Sequence, residues 1–288
     1  MAATWKSAIS RGVQLCCVGV VAVVLGGCGF GFGGSSASKV LNPDPPGKMF
    51  ATADRLLTSG NYEGAANRFE RLDRDHPYAP EARRAIVMAA FAYYKDGKYP
   101  EAIAQAQRYT TLHPGTKEAP LAHHIIASSY FDQIKDPARD QTSTRKALKA
   151  LKELRARYPT SKYAEKASNR IRLAEDVLAA SEMNVGRYYL KKKNYLAAIN
   201  RFKTVVKEYQ TTKHVEEALM RLTEGYMALG IRNEAQSAAA VLGHNFPNSP
   251  WYKDAYTLLA SNGLAPRNTG GSWISRTWKK TVKTLSFN

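Results

Sequence analysis

The stretch Gly60–Pro77, GNYEGAANRFERLDRDHP, reads as one turn and one amphipathic helix, and its pattern returns four more times. With Ala65 as origin, the counterparts are Ala102, Ala147, Ala198 and Ala235. Four residues on stand Phe69, Ala106, Leu151, Phe202 and Ala239, and seven on stand Leu72, Tyr109, Leu154, Val205 and Leu242. Eleven on, a ring appears each time, in His76, His113, Tyr158, Tyr209 and Phe246. Pro77, Pro114, Pro159 and Pro247 follow at the next position, with Gln210 as the exception. These offsets fall on one face of a helix with about 3.6 residues per turn. A proline beyond the last of them cannot continue the backbone ladder, so the helix ends there.

Gly60, Gly97 and Gly230 each lie five residues before an anchor alanine, where a preceding helix would stop and turn. Upstream, a second apolar helix carries Leu56, Tyr93, Tyr189 and Tyr226, nine residues before the anchor. Two helices per unit, with a small residue where they cross, is the tetratricopeptide pattern of about 34 residues. The predicted fold is all-α: a solenoid of five helix pairs over 48–262, followed by a capping helix in NSPWYKDAYTLLASNG. It divides into N-terminal pairs (48–161) and C-terminal pairs (162–262).

Two intervals break the spacing. Ala102 to Ala147 is 45 residues against 37 for the clean units, and the surplus falls in the polar loop Asp132–Thr144. Ala147 to Ala198 is 51, which predicts one long helix from about Tyr163 to Leu190 with Ala167, Ile171, Ala174 and Leu178 as its stripe. Such a helix would brace the first three units against the last two.

Met1–Gly27 reads as an export signal. Lys6 and Arg11 precede the apolar run Val13–Leu25, whose 13 residues fall short of the roughly 20 that span a bilayer. The run ends in Leu25-Gly26-Gly27-Cys28, which looks like a bacterial lipobox, with Cys28 as the lipidation site for a diacylglycerol thioether and an N-acyl chain. Cys16 and Cys17 leave with the signal, so the mature chain keeps one cysteine and forms no internal disulfide. Residues 28–47 are Gly/Ser-rich and then Pro-rich, as a flexible tether should be. The net charge of +18 falls to +16 once Lys6 and Arg11 are removed, and export argues against nucleic acid as the partner.

First helices of stacked pairs line a concave groove. Phe50, Asp54, Leu57, Met88, Phe91, Tyr94 and Lys95 are the candidates to line it here, with apolar pockets and a few charges suited to a peptide. In the tail 263–288, Ile274, Trp278, Val282 and Leu285 follow helical spacing among Arg276, Lys279, Lys280 and Lys283. A basic amphipathic segment of this kind suits a membrane surface or an acidic groove, and equally an end that folds on a neighbour. No constellation for catalysis or metal binding stands out: adjacent His123 and His124 point about 100° apart on a helix, and Glu216-Glu217 is read as part of a solvated face. No cofactor is expected beyond the covalent lipid.

On the lipobox, ATADRLLTSGNYEGAANRFERLDRDHPYAPEA, Arg139-Asp140-Gln141, YPTSKYAEKA, VGRYYLKKKNYLAAINRF and EALMRLTEGYMALG with NFPNSPWY, the chain resembles the BamD family. These are the tetratricopeptide lipoproteins of the outer-membrane β-barrel assembly (BAM) machinery. The match runs from Cys28 to about Tyr256 and excludes the tail. The resemblance implies a non-enzymatic subunit, lipid-anchored on the periplasmic face of the outer membrane. It would dock a POTRA domain of BamA through its C-terminal pairs, receive unfolded outer-membrane β-barrel proteins at its N-terminal pairs, and meet other BAM lipoproteins. Arg201 in AINRF matches an arginine that the family uses toward the POTRA domain. A different lipoprotein adaptor, such as a pilotin or a regulator of peptidoglycan enzymes, is the alternative.

Overall fold

The computed structural model describes residues 44–278. The signal, Cys28 and nearly all of the tether lie outside the described residues, as do Lys279, Lys280, Val282, Lys283 and Leu285. Among the described residues, eleven helices follow one another: α1 (Pro46–Thr58), α2 (Tyr62–Asp75), α3 (Pro80–Lys95), α4 (Tyr99–Leu112), α5 (Ala119–Phe131), α6 (Thr142–Arg157), α7 (Lys162–Lys191), α8 (Tyr195–Glu208), α9 (Val215–Ala228), α10 (Arg232–Asn245) and α11 (Pro250–Ala260), and residues 273–278 are helical as well. Each helix packs on the next, which gives the expected five pairs and a cap.

The repeat offsets are the core. All five anchor alanines are fully buried, and so are Phe69, Leu72, Ala106, Tyr109, Leu154, Phe202, Val205, Ala239 and Leu242. The ring at offset eleven is the C-cap of each second helix, held near φ −130° to −136°. A following proline disfavours α geometry for the residue before it, so the stop is built into the pair of residues. The long helix runs as predicted, 30 residues without a break, and packs on α5, α6 and α8. In the loop before α6, Gln141 is buried and donates to the Asp136 and Arg139 carbonyls, while Asp140 accepts from the Thr142 amide and hydroxyl.

Gly60, Gly97 and Gly230 sit at φ +83°, +76° and +73°, the left-handed region that stops a helix and turns the chain. The equivalent turn between α7 and α8 places Lys193 there, at φ +58°. A side chain at that conformation costs roughly 1–2 kcal/mol, partly offset by the freedom a glycine would lose. Lys193→Gly is therefore expected to raise stability by about 0.5–1 kcal/mol. A urea midpoint that stays put or falls would contradict this.

One sequence expectation needs correction, and one left open is decided for the described residues. Glu217 does not face solvent: it is 9% exposed and takes a 2.7 Å ion pair from Arg187 and a 3.4 Å one from Arg221. Arg221 also bonds Glu224 at 2.8 Å and stacks on Trp251, so the network ties α7, α9 and α11 together. Of the two readings left open for the tail, the described part, as far as Trp278, fits an end that folds on a neighbouring surface, here that of its own chain. Residues 264–278 form a strap whose Ile274 is fully buried against the last pair. The Gln236 amide donates to the Ala265 carbonyl, Ser272 to Glu234, and the Trp273 indole to the Tyr226 hydroxyl. Lys203 and Lys207 of α8 lie over the Trp273 ring. Ile274 and Trp278, the described part of the apolar stripe, pack on the chain's own core.

Candidate protein-binding surfaces

Successive first helices touch one another: α1 meets α3, α3 meets α5, and α5 meets α7, while no two second helices make comparable contact. The first-helix side is thus the tighter, inner side of the stack. Phe50 and Leu57 of α1 and Met88, Phe91 and Tyr94 of α3 all lie half-buried on one hydrophobic cluster. Phe50 meets Phe69 edge-on with centroids 5.2 Å apart, and the Arg84 guanidinium lies 5.0 Å over the Phe50 ring. The Tyr94 hydroxyl donates to Asp132 at 2.8 Å. Burial and that carboxylate push the phenol above its ordinary pKa, so it stays a donor at neutral pH. Asp54 and Lys95 are exposed and, among the described residues, form no ion pair. The structure therefore brings the five apolar candidates together on one surface, with the two charged candidates at its margin.

This surface reaches further than the sequence candidates. Arg170 of α7 lies 4.9 Å over Phe131 and donates to Ser128 at 2.6 Å. His124 stacks on Tyr163 at 4.6 Å, and burial, with Arg170 and Lys166 nearby, pushes its pKa down to about 4. It is neutral at physiological pH and packs as a ring, while His123 packs against Tyr158. The missing signal was the irregular third pair, where the spacing gives no register for α5 and α7. Aromatic faces, aliphatic side chains and the cations Arg84 and Arg170 can hold an extended peptide with apolar side chains and a carboxylate.

Arg201 stands on α8, on a different face. Its Nη1 lies 3.2 Å from Glu182 Oε2 on α7, and its side chain is 45% exposed. A pair this open contributes at most about 1 kcal/mol, so the guanidinium fork can turn to a second carboxylate. The strap does not block it, since Lys203 and Lys207, which meet Trp273, lie on another side of α8.

The family model described as "YfiO: Outer membrane lipoprotein" matches residues 43–242. The chain is 45% identical to the outer membrane protein assembly factor BamD of Caulobacter vibrioides, over 76% of this chain and 72% of that one. It is 38% identical to BamD of Rickettsia prowazekii, over 83% and 94%, and 35% identical to BamD of Neisseria meningitidis, over 73% and 82%. Among solved structures, the type IV pilus biogenesis factor PilW aligns over 73% of this chain at 15% identity, with a TM-score of 0.23. That superposition is too loose to bear on function.

Proposed function

Because the chain belongs to the YfiO family of outer membrane lipoproteins, alongside the BamD assembly factors, we propose that it serves the BAM complex by holding other proteins in place. It is an outer membrane protein assembly factor. In the finer reading, acyl chains on Cys28 tether it to the periplasmic face of the outer membrane. The helix-pair stack then presents two surfaces, one to substrate and one to the barrel-forming subunit.

The inner face of the N-terminal pairs together with the start of α7, from Phe50 to Arg170, receives unfolded β-barrel proteins as extended segments. Half-buried rings give such a segment apolar contacts at little entropy cost, and the arginines pair with its carboxylates. Arg201 on α8 docks an acidic site on a POTRA domain of BamA. Catalysis has no part in this reading: the surfaces offer apolar area and charge, and the work is done by positioning. Family membership carries the proposal, and the exposed Arg201 fork supports its docking half.

Arg201→Glu tests that half. The variant should lose most of its binding to the purified POTRA array while melting within about 1 kcal/mol of the parent, since the Glu182 pair it breaks is exposed. Unchanged POTRA binding would remove Arg201 from the interface.

A further inference from the structure

The helices of pairs 4 and 5 are antiparallel neighbours, so the α7–α8 and α9–α10 turns lie at the same edge of the stack. A Cβ built on Gly225, near the end of α9, would meet Ile199 Cγ1 of α8 at 2.9 Å, which puts the two turns side by side. Four large apolar side chains stand out there: Tyr188, Leu196, Leu229 and Ile231, each between 42% and 65% exposed. Around them, Lys191, Lys192, Lys193 and Arg232 are exposed and, among the described residues, enter no ion pair.

The same edge of pairs 1 and 2 is built differently. Its turns read Ser59-Gly60-Asn61 and Asp96-Gly97-Lys98, with Asn61 capping α2 and Lys98 bridging Glu63 and Asp96. At the position of Asn61, the last pair puts Ile231, which, like Lys98 before α4, does not cap its helix, but which, unlike Lys98, makes no ion pair and exposes an aliphatic side chain. A side-chain cap is worth about 1 kcal/mol, so the isoleucine is a local loss. Lys193 in the left-handed region is a second local loss, on the adjoining turn. Two adjacent turns thus forgo stability to display aliphatic side chains and cations, and such departures from local rules mark functional surface.

We infer that this edge is a second membrane contact, in which Leu196, Leu229 and Ile231 enter the headgroup layer and the cations meet anionic phospholipids. The side-chain chemistry favours lipid over a protein partner. Lysine is depleted at protein–protein interfaces, where arginine is preferred, whereas lysine and tyrosine suit the bilayer boundary. Three successive lysines at a turn point in different directions and match a diffuse anionic layer better than one carboxylate. Each basic residue near such a surface contributes about 1 kcal/mol. The contact would fix how the stack lies against the membrane, which a flexible tether alone cannot do. It rests on the outer-membrane location proposed above.

The test is co-sedimentation of the mature chain carrying Cys28→Ala with vesicles of phosphatidylglycerol and phosphatidylcholine. Because this chain has no acyl group, the result is independent of the anchor. Lys191→Glu with Lys192→Glu should weaken vesicle binding about tenfold or more. Lys149→Glu with Arg155→Glu, the same charge change on exposed positions of α6, should cost far less. Leu229→Ser with Ile231→Asn, which leaves the charge alone and supplies a cap, should also weaken binding while the protein melts no lower. Equal losses in the two charge variants would reduce the effect to general basicity and overturn the inference. So would an apolar variant that keeps vesicle binding but loses the POTRA array, since the edge would then be a protein interface.

Discussion

Phe202→Ala is expected to destabilise the chain by about 3–5 kcal/mol, toward the upper end of that range for phenylalanine truncation. The ring is fully buried, and it fills the space above Gly186 of α7, where an added Cβ would collide with Phe202 Cε1. With no side chain at Gly186 to relax inward, the cavity stays open, and open cavities cost most. The pairing also predicts a reversal of sign. Gly186→Ala alone should destabilise by overpacking, yet in the Phe202→Ala background its methyl group fills part of the void and should restore stability. Urea unfolding of the four proteins measures the coupling. Simple additivity, or a Phe202→Ala loss below about 1 kcal/mol, would show that the α7–α8 contact is not organised around this ring.

The largest functional effect is expected from Cys28→Ala. Without the thiol the proposed thioether cannot form, and no helix among the described residues is long and apolar enough to cross a membrane in its place. The variant should fold, since the helical array begins at Pro46, and should move from the outer-membrane fraction to the soluble periplasmic fraction. The lysine-edged surface of the last two pairs would hold it only weakly, as a single electrostatic contact does at physiological salt. A variant that still fractionates wholly with the outer membrane would refute lipidation as the anchor.

Much of the fold was legible because the same five offsets recur, and each recurrence reports the same physical event. An alanine at Ala65, Ala102, Ala147, Ala198 or Ala235 lets two helices cross closely, and all five are fully buried. The long helix was legible for the opposite reason: after Pro159 the surplus residues before Ala198 include no proline and a single glycine, Gly186, so the apolar stripe can continue as one helix. What stayed hidden depends on contacts between distant parts of the chain. Glu217 looks like half of a solvated acidic pair until Arg187, thirty residues upstream, closes on it at 2.7 Å. The strap has no counterpart in the repeat, so the spacing gives no place for Trp273 and Ile274 on the last pair.

The candidate groove was half legible. Phe50 and Tyr94 follow from helical spacing, whereas Arg84 and Arg170 read as ordinary surface cations until the rings beneath them are placed. Arg201 shows a different limit, since spacing puts it on α8 but gives no partner, and Glu182 sits nineteen residues upstream on another helix.

The unbroken run of α7 bears on how the molecule handles load. Every pair meets the next through a loop, and α6 reaches α7 through residues 158–161. α7 itself is a rod about 45 Å long, from the 1.5 Å rise of each residue, and it packs on both helices of the third pair as well as on α8. If α8 docks a partner and the inner face holds peptide as proposed, strain applied at α8 would pass along α7 to that face, coupling the two mechanically.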